Sequence, residues 1–173
     1  APTPLTPTQQ AAFSRVCDLA VRSYVQRVRV RAGPGQGAST ILSTVASKAK
    51  PPLLHKATLA HAPSLYDAVK LQLDAKHEVI VVDDLDTALH PSDDVLRTAE
   101  LKAIADTCAR ANACLIFALS ANSTLDVDVL EALNVDLARP SAADYRTVLD
   151  NVGAKYHADA AQVHASVPDL TPA

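Results

Sequence analysis

Arg27-Val28-Arg29-Val30-Arg31-Ala32-Gly33-Pro34-Gly35-Gln36-Gly37-Ala38-Ser39-Thr40 is the most informative run in the chain. Alternating Arg and Val, a strand with period two, pass into three glycines within five residues and then into the opening of a helix. There are only four glycines among 173 residues, where a usual share of roughly 7% would give about 12. Glycine costs backbone entropy, so a chain that spares it elsewhere and gathers it here needs unusual backbone geometry at this point. Strand, glycine loop and helix form a setting in which backbone N–H groups turn toward a phosphate. The helix N-terminus adds its partial positive charge.

Outward from the loop, apolar spacing predicts strict alternation of helix and strand. Upstream, Ala1 to Pro7 reads as an extended proline-rich arm. Thr8 to about Gln26 reads as a helix with Phe13, Val16, Cys17, Ala20 and Tyr24 on one face. The strand is expected over Arg27 to Ala32, and a helix over Ser39 to Lys50 turns Ile41, Leu42, Val45 and Ala46 inward until Pro51 and Pro52 stop it. Leu53 to Leu59 can form a second strand, and a helix runs from Ser64 to Asp74. Val79 to Val82 is a wholly apolar strand ending in Asp83 and Asp84. Asp93 or Asp94 caps a helix to about Asn112, with Leu96, Leu101, Ile104, Ala105 and Cys108 inward. Cys114 to Leu119 is a strand, Val127 to Leu133 a short helix, and Val135 to Ala138 a fifth strand. Ser141 followed by Asp144 caps the last helix, which ends near Gly153. The fold class expected is α/β: a three-layer sandwich with a five-stranded parallel sheet flanked by helices.

Composition narrows the function classes. Hydrophobic residues make up 49% and charged residues 20%, which excludes a disordered chain. A net charge of −3 and a pI near 6.0 give no basic field for nucleic acid. No apolar run is long enough to span a membrane. Cys17, Cys108 and Cys114 lack metal-type spacing and read as core thiols in a reducing compartment, the cytoplasm or the mitochondrial matrix. The six histidines, His55, His61, His77, His90, His157 and His164, form no metal-type cluster.

The loop and several later segments, in order, resemble an AAA+ ATPase of the P-loop NTPase class. Glu78-Val79-Ile80-Val81-Val82-Asp83-Asp84 is similar to a Walker B strand. Leu115 to Asn122 is similar to the sensor-1 strand, with Asn122 at its polar position. Leu137-Ala138-Arg139-Pro140 and Asp144 to Leu149 are similar to the segment entering the last helix. Val167-Pro168-Asp169-Leu170-Thr171 resembles the opening of the family's helical lid, so 154–173 is expected to be a lid remnant or tail. The resemblance spans about residues 8–173 and implies a nucleotide site at Gly33, Pro34, Gly35, Gln36, Gly37, Ala38, Ser39, Thr40, Asp83, Asp84 and Asn122. If magnesium is bound, Ser39 and Asp83 would hold it, with ATP or ADP as the nucleotide.

Departures from the family pattern decide the functional expectation. The P-loop motif needs Lys after its last glycine, to hold the β- and γ-phosphates, and this chain has Ala38. Asp84 stands where the family has Glu. Asn134-Val135-Asp136 stands in place of an arginine-finger segment before the fifth strand, and the resemblance leads us to expect most of the lid to be absent. The expectation is a catalytically inactive accessory subunit of a larger protein complex with no required cofactor. The alternatives are a non-hydrolysing nucleotide-binding regulatory module and an ATPase completed by a partner in trans. Arg27, Arg29 and Arg31 fit this scheme least, because the family's first strand is central and apolar.

Overall fold

Thr6 starts the first helix. Its hydroxyl accepts the Gln9 N–H at 3.3 Å, while the Gln9 side-chain oxygen accepts the Thr6 N–H at 3.0 Å. This capping box, with Pro7 at the first helical position, opens α1 (Pro7–Ala20) in the computed structural model of the chain. The structure describes residues 4–22, 24–59, 62–89 and 93–152. The expected lid segment and Gly153 cap lie outside the described residues. Helix α1 stops well short of Gln26. The Arg22 N–H bonds to Leu19 C=O at 3.1 Å and the Val25 N–H to Arg22 C=O at 3.0 Å, and these turns drop Val25 into the core. Tyr24, expected on the inner face, is 72% exposed.

The chain continues through β1 (Arg27–Arg31), α2 (Ala38–Ala49), β2 (Leu53–Leu54), α3 (Leu65–Asp74) and β3 (Val79–Val82). It then forms α4 (Leu85–Ala88), α5 (Asp94–Arg110), β4 (Cys114–Phe117), β5 (Leu133–Asp136) and α6 (Ala142–Val152). All strand pairings are parallel, in the order β2-β3-β4-β1-β5. The five-stranded α/β sandwich is therefore as expected.

Three further expectations are corrected. Strand β2 is short because Thr58 closes a local motif. Its hydroxyl accepts the His55 N–H at 2.9 Å and donates back to His55 C=O at 2.8 Å, which turns Lys56–Leu59 into a 3-10 helix. The helix expected over Val127 to Leu133 is one 3-10 turn, Asp128–Leu130. Glu131 ends it in the left-handed region at φ 50°, which frees Leu133 to pair with Val28 and shifts β5 toward the N-terminus. Leu96, expected inward on α5, is exposed. It lies five residues before the buried Leu101, about 140° around the helix from the stripe of Leu101, Ile104, Ala105 and Cys108.

Two apolar cores sandwich the sheet. Val28, Val30, Val81 and Ile116 pack with Phe13 and Val16 of α1 and Ile41, Leu42 and Val45 of α2. Ile80, Val82, Leu115 and Phe117 pack with Leu65 and Val69 of α3 and Leu101 and Ile104 of α5. Strand β1 thus gives its valines to the α1–α2 layer. Its arginines point the other way, to the face that Leu115 and Phe117 share. Arg27 and Arg29 are half-buried, and Arg31 is exposed.

Candidate functional site

The glycine loop sits at the C-terminal end of β1, where open α/β sheets bind ligands. Its backbone is explained by a turn. The Gln36 N–H bonds to Gly33 C=O at 3.1 Å, with Pro34 second and Gly35 third at φ 71°. Proline followed by a left-handed glycine is the signature of a type II turn. The Gln36 side chain then folds back, and its oxygen accepts the Gly33 N–H at 2.6 Å. Gly37 caps α2 at φ 96°, where no side-chain cap is present and any Cβ would collide with the Gln9 amide. The hydroxyl-bearing Ser39 is exposed, Thr40 is half-buried, and Ala38 occupies the lysine position.

Gln9 is the residue that sequence reasoning missed. It is 5% exposed, and its amide is used at both ends: the oxygen in the α1 cap, the nitrogen donating to Gln36 C=O at 2.9 Å. Next to it, the Thr8 N–H donates to Asp144 Oδ1 at 2.9 Å and the Thr8 hydroxyl donates to Asp144 Oδ2. The Ser141 N–H completes the set on Asp144 Oδ2 at 2.7 Å. Thr6, Gln9 and Asp144 are the buried polar residues among those described, and all three belong to this network. The network ties α6 through α1 to the loop and leaves a crevice of only 10 Å³ between Gln36, Ala138, Pro140 and Asp144, about the room of one water. Thr6-x-x-Gln9 could have been found as a capping-box pattern. Nothing local in the sequence signals that Gln9 reaches Gln36.

The acidic end of β3 is organised separately. Asp83 turns its carboxylate onto the Asp84 N–H at 2.9 Å, and Asp84 sits in the left-handed region at φ 46° to start α4. Ser120 places its hydroxyl 3.4 Å from Asp84 Oδ1 and donates its N–H to Asp86 at 2.8 Å. Burial, with Asp83 and Asp86 adding repulsion, holds Asp84 above its ordinary carboxylate pKa. Asp83 and Asp84 line an open cleft of about 450 Å³ with Ser43, His55 and Lys56. Asn122 lines a different cleft, of about 660 Å³, with Lys56, Asp86, Asp94 and Asp126. So Ser120, rather than Asn122, meets the acidic pair. Among the described residues no group of three or more His, Cys, Asp or Glu is arranged to hold a metal ion. No helix among them is long and apolar enough to cross a membrane.

No protein-family model and no curated protein sequence matches the chain. Among solved structures it is similar to domain III of the replication initiation protein DnaA from Thermotoga maritima. The TM-score is 0.58 at 14% identity, over 97% of this chain and 80% of that one. At this identity the likeness is one of fold: a five-stranded parallel α/β sandwich. Such folds host many functions, so function has to be argued from the site.

Proposed function

We propose that this chain is a non-hydrolysing scaffold domain, an AAA+-like fold that serves as an accessory subunit of a larger protein assembly. The observation that carries this reading is the closed loop: the Gly33 N–H is taken by the chain's own Gln36, beside Ala38 where a phosphate-binding lysine is required. A triphosphate would have to break that bond and displace the Gln9 contact, without the lysine charge as recompense. Losing one charge-assisted contact alone costs roughly 1.5–3 kcal/mol. Asp83 supports the same reading, since its carboxylate is engaged in its own turn. The free thiols Cys17, Cys108 and Cys114 fit a reducing compartment, the cytoplasm or the mitochondrial matrix.

The test is thermal unfolding with millimolar MgATP or MgADP, together with a phosphate-release assay. The expected result is no turnover and no shift. A ligand at 100 times its Kd would add about 2.7 kcal/mol, which such a scan resolves. Turnover abolished by Asp83→Asn would overturn the proposal in favour of an ATPase. A saturable shift without turnover would make the chain a nucleotide-binding regulatory module instead.

A further inference from the structure

Strand β5 ends the sheet, and among the described residues no strand pairs with its outer edge. The Leu137 N–H donates to Arg31 C=O at 2.8 Å. In a parallel ladder that contact sets the parity. Leu133, Val135 and Leu137 turn their backbone groups to β1, and Asn134 and Asp136 turn theirs outward. Exposure shows that nothing among the described residues covers this edge. Leu133 is 48% exposed, the Asp136 side chain is 60% exposed, and Asn134 is exposed too. Helix α6, which follows the strand, packs on α1.

Open edges are usually guarded by lysine, by proline or by a charge that pairing would strand. Strand β5 has no lysine, and Pro140 comes only after the strand has ended. Its one charge, Asp136, is already matched within the chain by a bidentate pair with Arg31, at 2.5 Å and 2.9 Å. The outward N–H and C=O groups of Asn134 and Asp136 are therefore a template for another strand.

We propose that β5 pairs with β5 of a second copy of this chain, antiparallel about a two-fold axis through Val135, joining two sheets edge to edge. The sequence around Val135 is complementary to itself in this register. Asn134 of one copy stands opposite Asp136 of the other, in a pair that exchanges both backbone hydrogen bonds, so an amide meets a carboxylate. Leu133 stands opposite Leu137 in the closer, non-bonded pair, which covers the exposed leucine. Beyond the strand ends, exposed Glu131 of each copy comes toward exposed Arg139 of the other. An axis through Asp136 would set two Asp136 carboxylates face to face, and one through Asn134 would set Asp136 against Ala132. A two-fold contact closes on itself and gives a dimer. With four strand residues from each copy, the dimer is a weak one. The inference goes beyond the accessory-subunit reading and fails separately from it, because that reading is tested at the glycine loop and this one at β5.

Sedimentation equilibrium of the full chain, from about 1 to about 500 µM, tests the proposal. The mean mass should rise with concentration from 18.2 kDa toward twice that value. Asn134→Pro removes an outward N–H and blocks the edge without touching a bond to β1, so it should weaken association at least about tenfold. Asn134→Asp sets two carboxylates opposite each other and should also weaken it, less so at high salt. Leu71→Ser, at an exposed site on α3, should leave association unchanged. If Asn134→Pro does not fold, Asn134→Asp and the wild type still decide. In the wild type, the Asn134 and Asp136 amides should exchange hydrogen more slowly as concentration rises. A monomer throughout the range, full association of both Asn134 variants, or protection confined to other residues would overturn the proposal. So would a mass that climbs past the dimer. Loss in Asn134→Pro without loss in Asn134→Asp would overturn the register through Val135.

Discussion

The side-chain oxygen of Gln36 lies 2.6 Å from the amide nitrogen of Gly33 and closes the glycine loop on itself. That loop amide is thus satisfied from within, and under the proposed reading the missing lysine is only one of two barriers. Ala38→Lys alone should therefore give no stabilisation by MgATP. Gln36→Ala/Ala38→Lys should give a measurable thermal shift, since it frees the amide and restores the charge. Gln36→Ala by itself should cost about 1 kcal/mol of stability in urea unfolding, the usual worth of one hydrogen bond. Nucleotide binding by Ala38→Lys alone would show that Gln36 does not guard the loop.

Gly37 tests the contact from the other side. Its φ of 96° strains any L-residue, and an added Cβ would run into the Gln9 amide. Gly37→Ala should destabilise by about 2–3 kcal/mol, combining a left-handed backbone penalty of about 1–2 kcal/mol with overpacking. Gln9→Ala removes the obstacle along with two hydrogen bonds. The double variant should therefore be less damaging than the sum of the singles, by about 1 kcal/mol in a double-mutant cycle. Strict additivity would mean that Gln9 does not press on Gly37.

The alternation of elements was legible because each follows a local rule. Val79 to Val82 is apolar throughout as a strand buried on both faces, and Leu101, Ile104, Ala105 and Cys108 repeat at helical spacing. The loop was legible as a turn of special geometry, since Pro34-Gly35 carries the type II signature. What stayed hidden depends on residues far apart in the chain. Thr8 and Asp144 are 136 positions apart, and neither pattern nor composition brings them together. The side of β1 on which the arginines lie follows from which face α1 and α2 cover, a tertiary choice. The end of β2 was missed for a smaller reason: Thr58 bonds back to His55, a side-chain competitor that period-two reading ignores.

Cys108 and Cys114 are buried, and burial pushes both thiols up to about 11. The thiolate is the reactive form, so at pH 8 only about one molecule in a thousand carries it at either site. Both should resist a disulfide exchange reagent in the native state and react fully in guanidinium chloride. Cys17 is half-buried, with its pKa also raised by burial and by Asp18, and should react first. Rapid native labelling of Cys108 would contradict its place on the buried face of α5.

Asp144 is 0% exposed and receives the Thr8 N–H, the Thr8 hydroxyl and the Ser141 N–H. Burial pushes its pKa up, but the hydrogen bonds from Thr8 and Ser141 together outweigh it and hold the carboxyl below its ordinary 3.8. A carboxylate depressed by folding adds stability that is present above the unfolded value and lost as pH falls through the folded one. Asp144→Asn should therefore cost about 2–4 kcal/mol at pH 7, the range for breaking a buried charge-assisted cluster. The gap between variant and wild type should narrow as pH drops below about 4. Urea unfolding at pH 7, 5 and 3 measures both effects. Because Thr8 adjoins Gln9, the variant should also loosen the glycine loop, seen as faster hydrogen exchange at the Gly33 amide. A pH-independent gap would mean that Asp144 acts through packing rather than through its charge.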